Sequence, residues 1–205
     1  TLGRLILGNI INTPFPIKLI GDKSLSKRDF KRITDPLSKF GVNFKLRKNK
    51  YLPLILKGSN KLKPIRYLEN KGSAQCKSSV ILGGLRTNGT TIIKAKKSRN
   101  HTELLCKYLN LPITVNSKNN YDNITIAKAN KIKNLNYNIP SDISSSAFFI
   151  VLTALAKNSE LIIKNVNVNP SRIGILQILK KMGVQILLKN QKNYKGEKIA
   201  DLKII

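Results

Sequence analysis

Small polar residues lead directly into an apolar run between Gly72 and Gly84, and this stretch is suited to bind an anion. The run predicts a helix over residues 73–85 that is hydrophobic nearly all round and is therefore buried. The first turn of such a helix has N–H groups without partners and the positive end of the helix dipole. Ser73 and Gln75 add a hydroxyl and an amide there. The stretch predicts a phosphate or carboxylate site, and the alternative is an N-capped core helix without a ligand.

The charge of the chain also favours anionic partners. Its 205 residues include 38 Lys and Arg against 10 Asp and Glu, which gives a net charge of +28. Nucleic acid, an anionic surface and anionic small substrates would all suit this charge. A nucleic-acid-binding face should interleave aromatic rings with Lys and Arg, whereas Phe148 and Phe149 fall in an apolar run. We therefore expect no nucleic acid partner and keep a basic nucleic-acid-binding protein as the alternative class.

Residues that could bind a metal or form a disulfide are few. Cys76 and Cys106 lie thirty residues apart, and His101 is the only histidine. We expect no metal, no cofactor and no disulfide, and we interpret both cysteines as core residues of a cytoplasmic protein. The longest apolar stretch, residues 147–156, is too short to span a bilayer, so no membrane partner is expected. His101 receives no catalytic role, because the spacing places no carboxylate or cysteine beside it.

An internal repeat must position these residues. Arg28, Arg99 and Arg172 each begin a predicted amphipathic helix that ends in a turn and an alternating strand. The predicted helix 73–85 and a second apolar helix over residues 142–156 are each followed by a turn and a strand as well. Self-similarity at a period of seventy residues predicts several copies of one mixed α/β unit. Each copy should contain a buried helix and a covering helix.

Six motifs, in order along almost the whole chain, resemble those of one enzyme family. They are TLGR at residues 1–4, GDKSLSKR at 21–28, GSAQCKS at 72–78, SRNHTE at 98–103, IPSDISSSAFF at 139–149 and NPSRIG at 169–174. Together they are similar to the motifs of the 5-enolpyruvylshikimate-3-phosphate (EPSP) synthase family, the 3-phosphoshikimate 1-carboxyvinyltransferases of the shikimate pathway. The resemblance implies a mixed α/β fold of two domains, built from repeated βαβαββ units with parallel helices that face inward. Asp29 departs from the family, which usually has Pro after the arginine.

The resemblance implies transfer of the enolpyruvyl group from phosphoenolpyruvate to the 5-hydroxyl of shikimate 3-phosphate, with release of phosphate, in aromatic amino acid biosynthesis. The matching positions that imply shikimate 3-phosphate contacts are Ser73, Ala74, Gln75, Ser98 and Arg99. Those that imply phosphoenolpyruvate contacts are Thr1, Arg4, Arg28 and Gln75. Both substrates are polyanions, so such a site needs cations and aligned N–H dipoles more than it needs a metal.

The resemblance further implies a middle fragment of a longer, monomeric enzyme. Residues 1–138 would form most of one domain, and residues 139–205 would begin the second. The family's leading Lys-Ser and Arg contacts would precede Thr1, and its catalytic Asp and later arginines would follow Ile205. We therefore expect no catalytic residue and no turnover within this chain, and we interpret Asp142 as a helix N-cap rather than a general base. A sister enolpyruvyl transferase acting on a UDP-sugar is the alternative within the same fold, although it should lack the Ser-Ala-Gln segment.

Overall fold

Helices and strands alternate along the whole chain, and the computed structural model describes all of residues 1–205. The six α-helices are α1 (Leu2–Asn9), α2 (Lys31–Ser38), α3 (Ala74–Gly84), α4 (His101–Tyr108), α5 (Ile143–Leu155) and α6 (Gly174–Lys181). The ten strands are β1 (Pro16–Leu19), β2 (Asn43–Arg47), β3 (Tyr51–Lys57), β4 (Arg66–Glu69), β5 (Thr91–Lys96), β6 (Ile113–Lys118), β7 (Tyr121–Ile126), β8 (Leu161–Asn167), β9 (Ile186–Tyr194) and β10 (Glu197–Ile204). A 3₁₀-helix, Leu25–Lys27, precedes α2.

One order of elements occurs three times along the chain. Each copy runs helix, strand, helix, strand, strand, and its last strand pairs between the other two, as in β1-β3-β2, β5-β7-β6 and β8-β10-β9. In the second copy β4 precedes α3 and pairs in parallel with β5. In the third copy Ser141 forms a parallel bridge with Val166 of β8 at the equivalent place. The predicted βαβαββ repeat and the mixed α/β class are therefore confirmed.

The chain divides into two compact units. The first unit comprises residues 1–98 and 109–132, and the second comprises residues 99–108 and 133–205. Helix α4 therefore belongs to the second unit, where it contacts β10. The predicted domains, residues 1–138 and 139–205, concern the whole enzyme and stay a prediction.

The first unit is organised around α3, which packs against both α1 and α2. Residues on all sides of α3 are buried, among them Cys76, Val80 and Ile81. The backbones of α1 and α3 approach so closely that a methyl group at Gly8 would overlap the carbonyl oxygen of Ser79. The predicted burial of helix 73–85 is therefore confirmed. Both cysteines of the chain are also buried, as predicted, and both are free.

The three helices that follow arginines begin two or three residues later than predicted. Helix α2 begins at Lys31 because Arg28 is still extended, with φ −80° and ψ 143°. Helix α6 begins at Gly174 because a turn precedes it, in which the Asn169 side chain accepts from the Ser171 N–H at 2.9 Å. Helix α4 likewise starts just after its arginine. The sequence pattern therefore located these helices, but it included the last residues of the preceding connections in them.

Helix α5 departs from the expectation that each copy contains a buried helix. One side of it, which includes Ile143, Ser146 and Ile150, is buried. On the opposite side Phe148 and Leu155 are each 79% exposed. The expectation was wrong for this copy because the three-stranded sheet that α5 contacts covers only one side of it, whereas α1 and α2 also pack on α3.

The contact between α1 and α3 predicts a large effect of a small substitution. Gly8→Ala should lower the free energy of unfolding by about 1–3 kcal/mol or more, because the added methyl group forces two helix backbones apart. Gly174→Ala is the matched control, since a methyl group there meets nothing within 4 Å and alanine is the better helix former. Urea unfolding followed by circular dichroism compares the variants. Equal midpoints for wild type and Gly8→Ala would contradict the close approach.

Candidate anion-binding site

The start of α3 combines an N-cap with backbone donors that have no partner inside the helix. Ser73 is the N-cap residue, and its hydroxyl oxygen accepts from the Cys76 N–H at 3.3 Å. Gly72 precedes it with φ +68°, a left-handed conformation that glycine adopts without strain. The N–H groups of Ala74 and Gln75 begin the helix, so no earlier turn accepts from them. These two N–H groups are therefore available as hydrogen-bond donors.

Three predicted site residues meet at the side chain of Gln75. Arg4 Nη1 donates to Gln75 Oε1 at 2.6 Å, and Gln75 Nε2 donates to Thr1 Oγ1 at 2.9 Å. Arg4 Nη2 also donates to the carbonyl oxygen of Asp29 at 3.2 Å. Helix α1 carries Arg4, and the Ser79 hydroxyl of α3 donates to the Arg4 carbonyl at 3.2 Å. The packing of α1 on α3 therefore brings Thr1, Arg4 and Gln75 together.

Guanidinium groups concentrate positive charge at this end of α3. Burial, followed by the like charges of Arg32 and Arg28, lowers the pKa of Arg4 below its ordinary value, although Cys76 and Asp29 act in the opposite direction. Arg28 itself is exposed. Arg4 Nε is buried and has no hydrogen-bond partner within the protein. A bound anion would supply that partner and reduce the repulsion between the cations.

Arg32 is a member of this group that sequence reasoning missed. It lies in the first turn of α2, and its carbonyl oxygen accepts from the Cys76 thiol at 3.4 Å. No helical spacing signals it, because Arg28, four residues earlier, is extended and lies before α2. Asp29 offsets only part of this charge, because one carboxylate acts on Arg4 against two other guanidinium groups and its Oδ2 also lies 3.5 Å from Lys50 Nζ. An excess of positive charge therefore remains.

The parallel pair of β4 and β5 brings two predicted phosphate contacts to one edge of a sheet. Ser73 follows β4 and Ser98 follows β5, and the carboxyl ends of parallel strands lie at the same edge. A methyl group at Gly72 would lie 3.6 Å from the carbonyl oxygen of Lys97, so the two connections are neighbours. Ser98 Oγ is buried without a hydrogen-bond partner, which suits a contact to a ligand. Arg99, the next residue, is exposed and belongs to the second unit.

The helix start of α5 in the second unit has a different electrostatic arrangement. Asp142 is its N-cap, as predicted, and its carboxylate accepts from the N–H and the hydroxyl of Ser145 at 3.3 and 3.2 Å. Arg172 Nη2 donates to Asp142 at 2.8 Å and to the Ser144 hydroxyl at 2.6 Å. Burial would raise the pKa of Asp142, but the bonds from Ser144 and Ser145 and the charge of Arg172 lower it. The protein's own carboxylate therefore occupies this helix start.

A buried carboxylate that sequence reasoning also missed lies at the start of α4. Glu197 is 6% exposed, and its Oε1 lies 2.5 Å from His101 Nδ1. Burial would raise the pKa of Glu197, but hydrogen bonds from His101, Asn167 and Asn169 lower it. Glu197 is therefore a carboxylate, which only accepts, so Nδ1 of His101 carries the hydrogen. No local motif could signal this pair, because its members stand 96 residues apart in the sequence.

Other classes of site find no counterpart in the structure. No group of three or more His, Cys, Asp or Glu side chains is placed to hold a metal ion. The helices are all too short or too polar to cross a membrane.

A family model described as EPSP synthase (3-phosphoshikimate 1-carboxyvinyltransferase) matches residues 1–204. The chain belongs to this family. The 3-phosphoshikimate 1-carboxyvinyltransferase of Caldicellulosiruptor bescii is 42% identical over 204 residues, which are 98% of this chain and 47% of the relative. The enzyme of the same name from Leuconostoc mesenteroides is 38% identical over 205 residues, with 100% of this chain and 46% of the relative covered.

Solved structures agree with membership of the EPSP synthase family. The EPSP synthase of Acinetobacter baumannii matches with a TM-score of 0.84 and 34% identity, over 98% of this chain and 45% of that one. The enolpyruvyl transferase NikO from Streptomyces tendae has a TM-score of 0.64 at 12% identity and shows a likeness of fold alone. The chain spans about half the length of the curated relatives it matches. The alternative classes considered from the sequence are not favoured by these matches.

The lowered pKa of Glu197 predicts how stability responds to acid. A carboxyl group whose pKa is lower in the folded state stabilises the protein above its unfolded pKa and loses that contribution as pH falls. Glu197→Gln should therefore destabilise the chain at pH 7 by about 1–3 kcal/mol, since Asn169 loses its acceptor. This difference should shrink as pH falls below the ordinary value of 4.5. Urea unfolding at several pH values measures it, and a difference that is constant across pH would contradict the assignment.

Proposed function

We propose that the chain is part of an enzyme that transfers the enolpyruvyl group from phosphoenolpyruvate to the 5-hydroxyl of shikimate 3-phosphate and releases phosphate. Its membership of the EPSP synthase family supports this reaction. The observation that carries it is the excess of guanidinium groups at the start of α3, where the charges of Arg28 and Arg32 act on Arg4 beside Gln75. Two polyanionic substrates require such an excess of cations and N–H donors.

Shikimate 3-phosphate is proposed to bind with its phosphate at the start of α3. The N–H groups of Ala74 and Gln75 can donate to phosphate oxygens along the helix axis. The Ser73 oxygen accepts from the helix, so its hydroxyl hydrogen is free to donate to the ligand. Ser98 has a buried hydroxyl without a partner and would donate to the same phosphate. By the family match, Arg99 adds a guanidinium group to this substrate.

Phosphoenolpyruvate is proposed to bind the guanidinium groups of Arg4 and Arg28. A guanidinium fork suits a carboxylate or a phosphate, because it can donate two parallel hydrogen bonds. Arg4 is already oriented by Gln75 and by the Asp29 carbonyl, so little side-chain freedom remains to be lost on binding. The Thr1 hydroxyl, which accepts from Gln75, completes the group. Gln75 would then lie beside both substrates.

The enzyme is further proposed to act as a monomer in the cytoplasm. The two small substrates would be its partners, without a cofactor, a membrane or nucleic acid. The absence of a cofactor is consistent with the reaction, since charge stabilisation by cations and dipoles can replace a metal for polyanionic substrates.

Two substitutions at Ser73 test the phosphate site, and the second of them preserves the helix cap. Ser73→Ala should weaken shikimate 3-phosphate binding by about 1–3 kcal/mol, the range for hydrogen bonds to charged groups. Ser73→Asp keeps an N-cap acceptor and so the fold, but it should abolish binding because a second negative charge meets the phosphate. Ser59→Asp is the matched control, since the Ser59 hydroxyl also accepts a backbone N–H, from Lys61 at 3.1 Å, and is not a proposed contact. Unchanged calorimetric affinity of Ser73→Asp would contradict the site.

The 205-residue chain is predicted to show no turnover with both substrates. Enolpyruvyl transfer needs groups that move protons to and from the substrate. The side chains that meet at Gln75 are hydroxyl, amide and guanidinium groups, which bind anions but do not exchange protons readily near neutral pH. Phosphate release is measured against a heat-inactivated control. Sustained release above that control would mean that the proton-transfer groups lie within these residues.

A further inference from the structure

A buried polar network joins the start of α4 to the turn between β9 and β10. Glu197 binds His101 through Oε1 and Asn169 through Oε2, at 2.5 and 3.2 Å. The same Asn169 Nδ2 donates to Asn100 Oδ1 at 2.9 Å. The turn also lies against the main chain of α4, because a methyl group at Gly196 would stand 3.0 Å from the Leu104 carbonyl oxygen. Residues 100 and 101 are therefore both held by side chains from other elements of the second unit.

The hydrogen bonds of this network fix the orientation of the residues that they join. Removing a carboxylate from water costs several kcal/mol, and an apolar contact could hold a helix without that cost. Hydrogen bonds differ from apolar contacts because donor and acceptor must be aligned. Asn169 is itself oriented, since its Oδ1 accepts from the N–H and the hydroxyl of Ser171 at 2.9 and 2.7 Å. The carboxylate thus receives hydrogen bonds from groups whose orientations are already set.

Arg99 directly precedes the two residues that the network holds. Its backbone can depart little from that of Asn100, because consecutive Cα atoms are about 3.8 Å apart and the peptide bond between them is planar. The Arg99 side chain is exposed. A long exposed side chain loses rotamer freedom on binding, so a fixed backbone is the means by which the fold can orient it.

We propose that Glu197 is a positioning residue for Arg99 in the binding of a phosphate monoester, through its hydrogen bonds to His101 and Asn169. This inference rests on the proposed function, which makes Arg99 a shikimate 3-phosphate contact. Glu197 does not touch the substrate in this proposal. It acts through Asn100 and His101, whose orientation it sets.

Electrostatics and positioning predict opposite effects of neutralising Glu197. If only charge mattered, removal of a negative charge would strengthen the binding of an anion. If Glu197 positions Arg99, its neutralisation weakens binding, because the side-chain nitrogen of a glutamine at 197 cannot accept from Asn169. Glu160→Gln is the matched control, since it removes the same charge from the same unit, where Glu160 pairs with Lys203 at 2.8 Å.

The first measurement is nuclear magnetic resonance of the 205-residue chain. His101 is the only histidine, so its ring nitrogens give unambiguous signals, and the wild type should show hydrogen on Nδ1. Backbone order parameters at residues 99–101 should be near 0.85 in wild type and Glu160→Gln, and should fall below about 0.6 in Glu197→Gln. His101→Asn should keep the wild-type values, because its amide nitrogen replaces Nδ1 as donor, whereas His101→Leu should not. If Glu197→Gln fails to fold, the comparison of His101→Asn with His101→Leu still tests the proposal.

The second measurement is calorimetric titration with shikimate 3-phosphate. Glu197→Gln and His101→Leu should bind about tenfold more weakly than wild type, whereas Glu160→Gln and His101→Asn should bind within about twofold of it. Wild-type order at residues 99–101 in Glu197→Gln would overturn the proposal, whatever the titrations show. Loosened residues with unchanged affinity would overturn it too. If residues 99–101 respond as expected but the wild type binds no shikimate 3-phosphate, the positioning of Arg99 is supported and the proposed function is what fails.

Discussion

An apolar helix can bury its sides, but its first N–H groups still need acceptors, and this constraint organises the first unit. Helix α3 is covered by α1 and α2, and contact with α1 is close enough that Gly8 admits no side chain. The same close contact carries Arg4 to the open end of α3, where it meets Gln75. The packing of the core and the composition of the candidate anion site are therefore consequences of one arrangement of two helices.

The copies of the repeat share a topology but differ in how they treat charge. At the start of α5, Arg172 is paired with Asp142, which also caps the helix. At the start of α3 the cap is the neutral Ser73, and no carboxylate of the protein binds the guanidinium of Arg4. A neutral cap leaves the helix dipole and the nearby cations available to a ligand, whereas a charged cap satisfies them internally. One repeated unit thus leaves its helix start open in one copy and satisfies it internally in another.

Much of the fold could be predicted from the sequence because it depends on local patterns. The repeat, the burial of α3, the buried cysteines and the N-cap at Asp142 follow from periodicity, composition and capping chemistry. The exposure of Phe148 and Leu155 could not be predicted, because periodicity shows that a helix is apolar but not how many layers cover it. Of the site, Thr1, Arg4 and Gln75 were found through the family motifs. Glu197 was not predicted, because its partner His101 is 96 residues away in the sequence and nothing in the local sequence around either residue signals the pair.

The exposed face of α5 sets an apolar attraction against the positive charge of the chain. Two interactions act between copies in solution, namely repulsion from the net charge of +28 and attraction between apolar faces that include Phe148 and Leu155. The repulsion extends about 30 Å at 0.01 M ionic strength but only about 10 Å at 0.1 M. The apolar attraction involves no net charge and is not screened. Added salt therefore weakens the repulsion and leaves the apolar attraction unchanged, so the balance between the two depends on ionic strength.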